Sequence, residues 1–134
     1  MRSVVILGRP VSVNHMYRGG RRYLTEAGKQ YKRTVALLCK DQNPELEKLK
    51  GGFIALVVYR WKDRRRRDIT NYEKIIMDAL SGILYNDDSQ GVIFTAVKIL
   101  GEPVESTTVQ IYTMEEYHEF LEDLSHYHSL YDQD

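Results

Sequence analysis

Apolar residues recur along this chain with two periods, and the switching between them predicts seven elements. RSVVILGR at 2–9 is short, β-branched and stopped by Pro10, which marks a first strand. FIALVVYRW at 53–61 is apolar almost throughout, as expected of a central strand covered on both faces. GVIFTAVKIL at 91–100 and STTVQIYT at 106–113 alternate well enough to be two further strands, joined by the GEPVE turn around Pro103. Tyr31, Val35, Leu38 and Cys39 follow a helical spacing behind Thr25, a good N-cap, so a helix is expected over 26–40. Thr70 with Glu73 three residues on reads as a capping box opening NYEKIIMDALSGI, whose Ile75, Ile76, Ala79, Leu80 and Ile83 face a core. Lys74 and Asp78 are four apart and share one face of that helix. In the last stretch Tyr117, Phe120, Leu121 and Leu124 give an acidic amphipathic helix ending in a frayed tail.

The order β, α, β, α, β, β, α predicts a single compact α/β domain of the mixed α+β kind. It should have a mixed sheet of about four strands, two core helices and an extra acidic C-terminal helix. The domain proper is expected over 1–113, with the acidic helix and tail over 114–134. Residues 41–52, with a proline and a glycine pair, read as a connector.

A chain of 134 residues is the size of one domain, able to bury roughly 65–70% of the surface its unfolded form exposes. Its single cysteine, Cys39, cannot form an internal disulfide, and one cysteine with four histidines makes no zinc cluster without carboxylates. A reducing, cytoplasmic setting is therefore expected. The apolar run VVIL at 4–7 is far too short for a signal peptide or a membrane span, so no membrane partner is expected.

The formal net charge of zero hides a division. Residues 1–74 carry 18 of the 19 Lys and Arg with seven Asp and Glu, whereas from Ile75 onward one base, Lys98, faces twelve acids. Such a split suits a half that faces a polyanion, or two halves that neutralise each other. Arg18, Arg21 and Arg22 surround a Gly19-Gly20 turn, with His15, Tyr17 and Tyr23 interleaved. Guanidinium groups neutralise phosphates and rings stack on unpaired bases, so this segment is either a nucleic-acid contact or a β-hairpin with solvated arginines.

The stretch from Trp61 to Gln90 concentrates the chemistry. Arg64, Arg65, Arg66 and Arg67 run into Asp68, a helix follows, and Asp87-Asp88 close it. Phosphodiester hydrolysis needs an activated water, a stabiliser for charge developing on phosphorus and help for the leaving oxygen. A few carboxylates holding Mg²⁺ provide these functions. Asp68 and Asp88 are candidate ligands, Lys74 a candidate stabiliser, and the four arginines candidate clamps for flanking phosphates. Each has a structural alternative: Asp68 and Thr70 as helix caps, Asp87-Asp88 as a turn, Lys74 as the partner of Asp78. The convergence of arginines and acids on the two ends of one short helix favours a nuclease.

The segment RRRRDITNYEKIIMDALSGILYNDDSQ resembles the signature of the RusA family of Holliday-junction resolvases. There a basic stretch runs into Asp-x-Asp-Asn, then a lysine, Asp-Ala-Leu and Asp-Asp-Ser/Ala-Gln. PVSVNHMYR resembles the family's Pro-x-Ser-x-Asn segment with its following tyrosine, and TEAGKQYK its first helix, so the likeness spans about residues 6–112. The resemblance implies a homodimeric endonuclease, bacterial or phage-encoded, that uses Mg²⁺ or Mn²⁺ to cut a four-way DNA junction symmetrically. Asp68 matches the first catalytic aspartate, Asp88 the last, and Lys74 the functional lysine. Asp68, Asp88 and Asp87 become the expected metal ligands, while Asn14, Tyr17, Arg18, Arg21, Arg22 and Arg64 to Arg67 become the expected DNA contacts. The second aspartate of Asp-x-Asp is absent, and Thr70 stands there. Asp87, Asp78 and Glu73 are the carboxylates that remain to replace it. The alternative implied by Thr70 is a branched-DNA-binding protein with weakened catalysis. The acidic C-terminal helix lies outside the resemblance and is open either to packing or to a protein partner.

Overall fold

The computed structural model of the chain describes residues 1–19 and 23–131. Its elements are β1 (Arg2–Leu7), α1 (Val13–Met16), β2 (Tyr17–Arg18), β3 (Tyr23–Leu24), α2 (Glu26–Gln42), β4 (Phe53–Arg60), α3 (Glu73–Leu80), β5 (Gly91–Ile99), β6 (Ser106–Thr113) and α4 (Tyr117–Tyr131). The mixed sheet of four strands runs in the order β1-β6-β4-β5, and β2 and β3 form a separate ribbon. The α/β architecture is thus the one the residue pattern predicts.

Everything is arranged about β4, whose residues from Phe53 to Tyr59 are all buried. β6 pairs with it antiparallel, from Phe53↔Thr113 to Arg60↔Ser106, and β5 pairs parallel on the other side. Alternate residues of β4 point to opposite faces. Phe53, Ala55, Val57 and Tyr59 join Val35 and Cys39 of α2 and Ile76, Ala79 and Leu80 of α3. Ile54, Leu56 and Val58 join Tyr112 and Phe120 under α4. The sheet is therefore a layer between helices.

β5 and β6 are not paired with each other, so the GEPVE turn does not close a hairpin. The segment instead carries the chain around the end of β4, where the Trp61 N–H donates to Ile99 O at 3.0 Å and the Glu102 N–H to Trp61 O at 2.9 Å. A strand buried on both faces needs hydrogen-bonded neighbours at both edges, and that requirement outweighs local turn closure.

The helices hold two further corrections. Thr70 does not cap α3. Asp68 caps a 3₁₀ turn at Ile69–Asn71, accepting from the Thr70 N–H at 3.0 Å, and α3 begins after it at Glu73 with no side-chain cap. In α4 the buried stripe is Phe120 with half-buried Leu124 and Tyr127, while Tyr117 and Leu121 are exposed. The phase turns so that Tyr127 meets the Arg60 guanidinium, 5.9 Å from its ring centroid, and Asp123 accepts from the Tyr112 hydroxyl. The tail at 132–134 lies outside the described residues.

α2 starts where expected, with Thr25 Oγ1 accepting from the Gly28 N–H at 3.1 Å, and ends by covering the free edge of β1. Gln42 accepts from the Val5 N–H at 2.8 Å and donates to Val5 O at 2.9 Å, and Asn43 donates to Ser3 O at 2.8 Å. Gly28 permits a close approach that carries the β2–β3 ribbon: a Cβ there would stand 2.4 Å from Met16 O, at the end of α1. The ribbon itself pairs Tyr17↔Leu24 and Arg18↔Tyr23, and Gly19 leaves β2 with φ +61. Tyr17–Arg18 and Tyr23–Leu24 thus pair antiparallel, with Arg18 exposed, while residues 20–22 lie outside the described residues.

Candidate active site

Parallel strands cannot be joined by a tight turn, so the chain between β4 and β5 must cross the sheet and return. Residues 61–90 make that crossing. They leave the end of β4 through the arginine loop, run back along α3, and re-enter at β5 through a 3₁₀ turn at Asp88–Gln90. Asp68 and Asp88 therefore stand at the two ends of α3, a helix of eight residues, about 12 Å long.

The arginine loop is organised by Asp63. Its carboxylate takes a two-pronged contact from Arg67, at 2.6 and 2.9 Å, with Arg9 at 3.2 Å and the Arg65 N–H at 3.0 Å. Arg67 also lies over the Trp61 ring, 4.7 Å from its centroid, and its side chain is only 8% exposed. The Arg67 guanidinium, followed by the Arg65 N–H, holds the Asp63 carboxyl well below the usual carboxylate range. Arg67, grouped with the phosphate clamps on sequence grounds, is thus a structural strut. Arg64, Arg65 and Arg66 remain exposed.

At the start of α3, Asp68 is exposed and Thr70 occupies its Oδ1. The Thr70 hydroxyl donates at 2.6 Å and its N–H at 3.0 Å, and these bonds, with nearby Lys98, lower the Asp68 pKa. Lys98 reaches this corner by donating to Arg67 O at 3.2 Å. Thr70 therefore neither caps α3 nor leaves Asp68 unengaged.

At the other end, Asp88 meets two acids. Burial raises its pKa first, and the Asp78 charge and contacts with Asp87 and Asp78 raise it further. Asp87 moves the opposite way, stabilised as the anion chiefly by the Ser89 hydroxyl at 2.6 Å. Asp78 is held from two sides: Lys74 donates to its Oδ2 at 3.2 Å and the Tyr17 hydroxyl to the same oxygen at 2.6 Å. The turn bearing Asp87 and Asp88 is anchored by Gln90. Its Oε1 accepts from the Asn86 and Asp87 N–H groups at 2.8 and 2.9 Å, and its Nε2 donates to Leu49 O and Gly51 O, both at 3.0 Å. A cleft of about 300 Å³ opens beside Asp88, lined by Glu73 and Met77 of α3 and by Val92 and Phe94 of β5.

The structure thus brings Asp88, Asp87, Asp78, Lys74 and Tyr17 together and sets Asp68 apart with Thr70 and Lys98. Asn14 and Arg18 are exposed on the α1–β2 segment, while Arg21 and Arg22 lie outside the described residues. In the sequence Asp78 is a helix partner of Lys74 and one of three carboxylates that could replace the missing one. The spacing between Lys74 and Asp78 was visible, but the approach of Asp88 and of Tyr17, 61 residues from Asp78 in the chain, had no local signal. Among the described residues no three His, Cys, Asp or Glu side chains converge on one metal position. The donors at the Asp88 end are all carboxylate oxygens, which suit a hard divalent cation that needs only one or two such ligands beside water and phosphate.

A charged loop, a crossover helix and a carboxylate pair beside a lysine fit a phosphodiester-cleaving protein, and comparison with known families agrees. The family model described as Endodeoxyribonuclease RusA matches residues 8–112 of the 134. The chain belongs to the RusA family of endodeoxyribonucleases. No curated protein matches it. Among the described residues no helix is long and apolar enough to cross a membrane.

Two expectations follow from this geometry. Replacing Arg65 and Arg66 with alanine should reduce the slope of log affinity against log salt for DNA by about 2, as each lost phosphate contact removes roughly 0.9. Arg67→Ala should instead lower the thermal midpoint, and a slope reduced by roughly 0.9 with unchanged stability would show that Arg67 faces DNA. In metal-free protein, carboxyl NMR should find Asp88 titrating above an ordinary aspartate, and Asp78→Asn should bring it down. Because the folded pKa is raised, ionising Asp88 removes stability as pH rises through it. A normal Asp88 pKa unmoved by Asp78→Asn would contradict the pairing.

Proposed function

We propose that the protein is a metal-dependent endonuclease that cuts branched DNA, with the four-way junction as its substrate. The observation that carries this reading is the Asp78–Asp88 pair beside Lys74. Two carboxylates in one place repel each other, and the Asp78 charge adds to burial, the larger cause, in raising the Asp88 pKa. A divalent cation would relieve the repulsion, and Asp88 with Asp78 would hold Mg²⁺ or Mn²⁺, with water and phosphate completing the shell and Asp87 next to them in the turn. When bound, the cation supplies Lewis-acid polarisation of a phosphoryl oxygen and a more acidic water. Asp78 then provides the carboxylate that Thr70 does not.

Lys74, fixed 3.2 Å from Asp78, contributes positive charge toward the phosphorus oxygens or the leaving oxygen as charge develops there. Asp68, matched to the family motif, is a further carboxylate of the proposal, apart from Asp78 and Asp88. Its Oδ1 accepts both bonds from Thr70, and its Oδ2 lies outside them. Exposed Arg18, Arg64, Arg65 and Arg66 grip phosphates, which positions the duplex arms without reading sequence. Two symmetric cuts need two sites, and a two-fold dimer of this small chain supplies the second.

The second reading is a junction-binding protein that does not cut. What favours it is Thr70, which replaces the family's second aspartate and ties up one oxygen of Asp68. A synthetic four-way junction incubated with Mg²⁺ or Mn²⁺, and with a chelator as control, separates the two. Cleavage should require the cation. Asp88→Asn should reduce it by more than about 100-fold, since even outer-shell changes at metal sites cost 10–100-fold, while junction binding persists. Thr70→Asp should raise the rate or lower the cation concentration needed. If wild type and Thr70→Asp both bind the junction and neither cuts it, the nuclease reading fails.

A further inference from the structure

Tyr17 lies on the ribbon that also carries Arg18 and Tyr23, a setting that invites a base-stacking role. Its contacts point elsewhere. The Tyr17 hydroxyl donates to Asp78 Oδ2 at 2.6 Å, Lys74 donates to the same oxygen at 3.2 Å, and the Lys74 ammonium sits 5.0 Å from the Tyr17 ring centroid. Phenol, carboxylate and ammonium close a triangle between β2 and α3. We propose that Tyr17 is a positioning residue that holds Lys74, both directly through its ring and indirectly through Asp78, in its working position. The proposal rests on the nuclease reading for the purpose of that position, though not for its geometry.

A lysine has four rotatable side-chain bonds, and its ammonium on a half-exposed helix face would sample many positions. Two contacts converge to restrict it: an anion at hydrogen-bond distance and the negative face of an aromatic ring. Both depend on Tyr17, because its hydroxyl fixes the Asp78 carboxylate and its own ring at once. A ring occupied on one face by an ammonium and tethered at its hydroxyl is poorly available to a base. Tyr23, 64% exposed on the neighbouring strand, is the free ring of the ribbon. Since the ribbon bears Arg18, the same triangle would couple a phosphate-gripping part of the chain to the lysine that assists cleavage.

Tyr17→Phe keeps the ring and removes only the hydroxyl, so it separates the two roles. With a four-way junction at saturating protein, Tyr17→Phe should leave the junction Kd within about twofold of wild type and lower the single-turnover cleavage rate about tenfold or more, as small misplacements of catalytic groups do. Tyr23→Leu should do the reverse, weakening binding with little change in the saturated rate. A readout independent of activity is the Lys74 ε-methylene NMR signal, displaced by the ring current of Tyr17 in wild type. In Tyr17→Phe it should move toward the position of an unrestrained lysine while the thermal midpoint shows the domain folded. The proposal is overturned if Tyr17→Phe cleaves at the wild-type rate with the Lys74 signal unmoved, or if Tyr17→Leu weakens binding while Tyr17→Phe behaves as wild type. Should wild type fail to cleave, the nuclease reading falls, and the Lys74 signal still decides whether Tyr17 positions it.

Discussion

The burial of β4 on both faces is the constraint from which the remaining architecture follows. Its residues from Phe53 to Tyr59 are at most 1% exposed, so the strand needs helices above and below and a bonded neighbour on each side. α2 and α3 supply one cover and α4 the other. The acidic C-terminal helix therefore has a structural role in closing the second core. The parallel neighbour β5 imposes the crossover at 61–90, and that crossover fixes the two ends of α3 at which the charged residues gather. Fold and site are coupled through one strand pairing.

The elements with strong periodicity were legible from sequence. β4 was recognisable by its unbroken apolar run, and α2 and α3 by their spacing. What could not be read were outcomes decided by distant partners. The hairpin suggested for 91–113 gave way because both edges of β4 compete for strands, and a turn sequence says nothing about which neighbour wins. Thr70 looked like the cap of α3 because a capping box is a local pattern, but Asp68 two residues earlier caps first and starts a 3₁₀ turn. In the arginine run, sequence cannot distinguish Arg67, stacked on Trp61 and clamped by Asp63, from its exposed neighbours.

The site shows the same division. Lys74 and Asp88 stand out only through their motif, whereas the Lys74–Asp78 contact follows from its spacing. The assembly of Asp78 with Asp88 and Tyr17 depends on three elements meeting, and only the fold reveals it. Gln90 makes the arrangement physically intelligible: one side-chain amide satisfies two N–H groups of the turn that bears Asp87 and Asp88 and two carbonyls of the 49–51 segment. Its amide has both the acceptor and the donors that such a bridge requires.

The acidic end of α3 holds an anionic Asp87, an Asp88 whose proton is retained beyond the ordinary range, and an Asp78 shared by a lysine and a phenol. The proposed role of this group is to take a divalent cation, which would relieve the repulsion among its carboxylates. Direct titration of Mn²⁺ followed by electron paramagnetic resonance, without DNA, tests this most simply. Wild type should take up Mn²⁺, and Asp88→Asn and Asp78→Asn should each weaken uptake about tenfold or more. Equal binding by wild type and both variants would contradict that role.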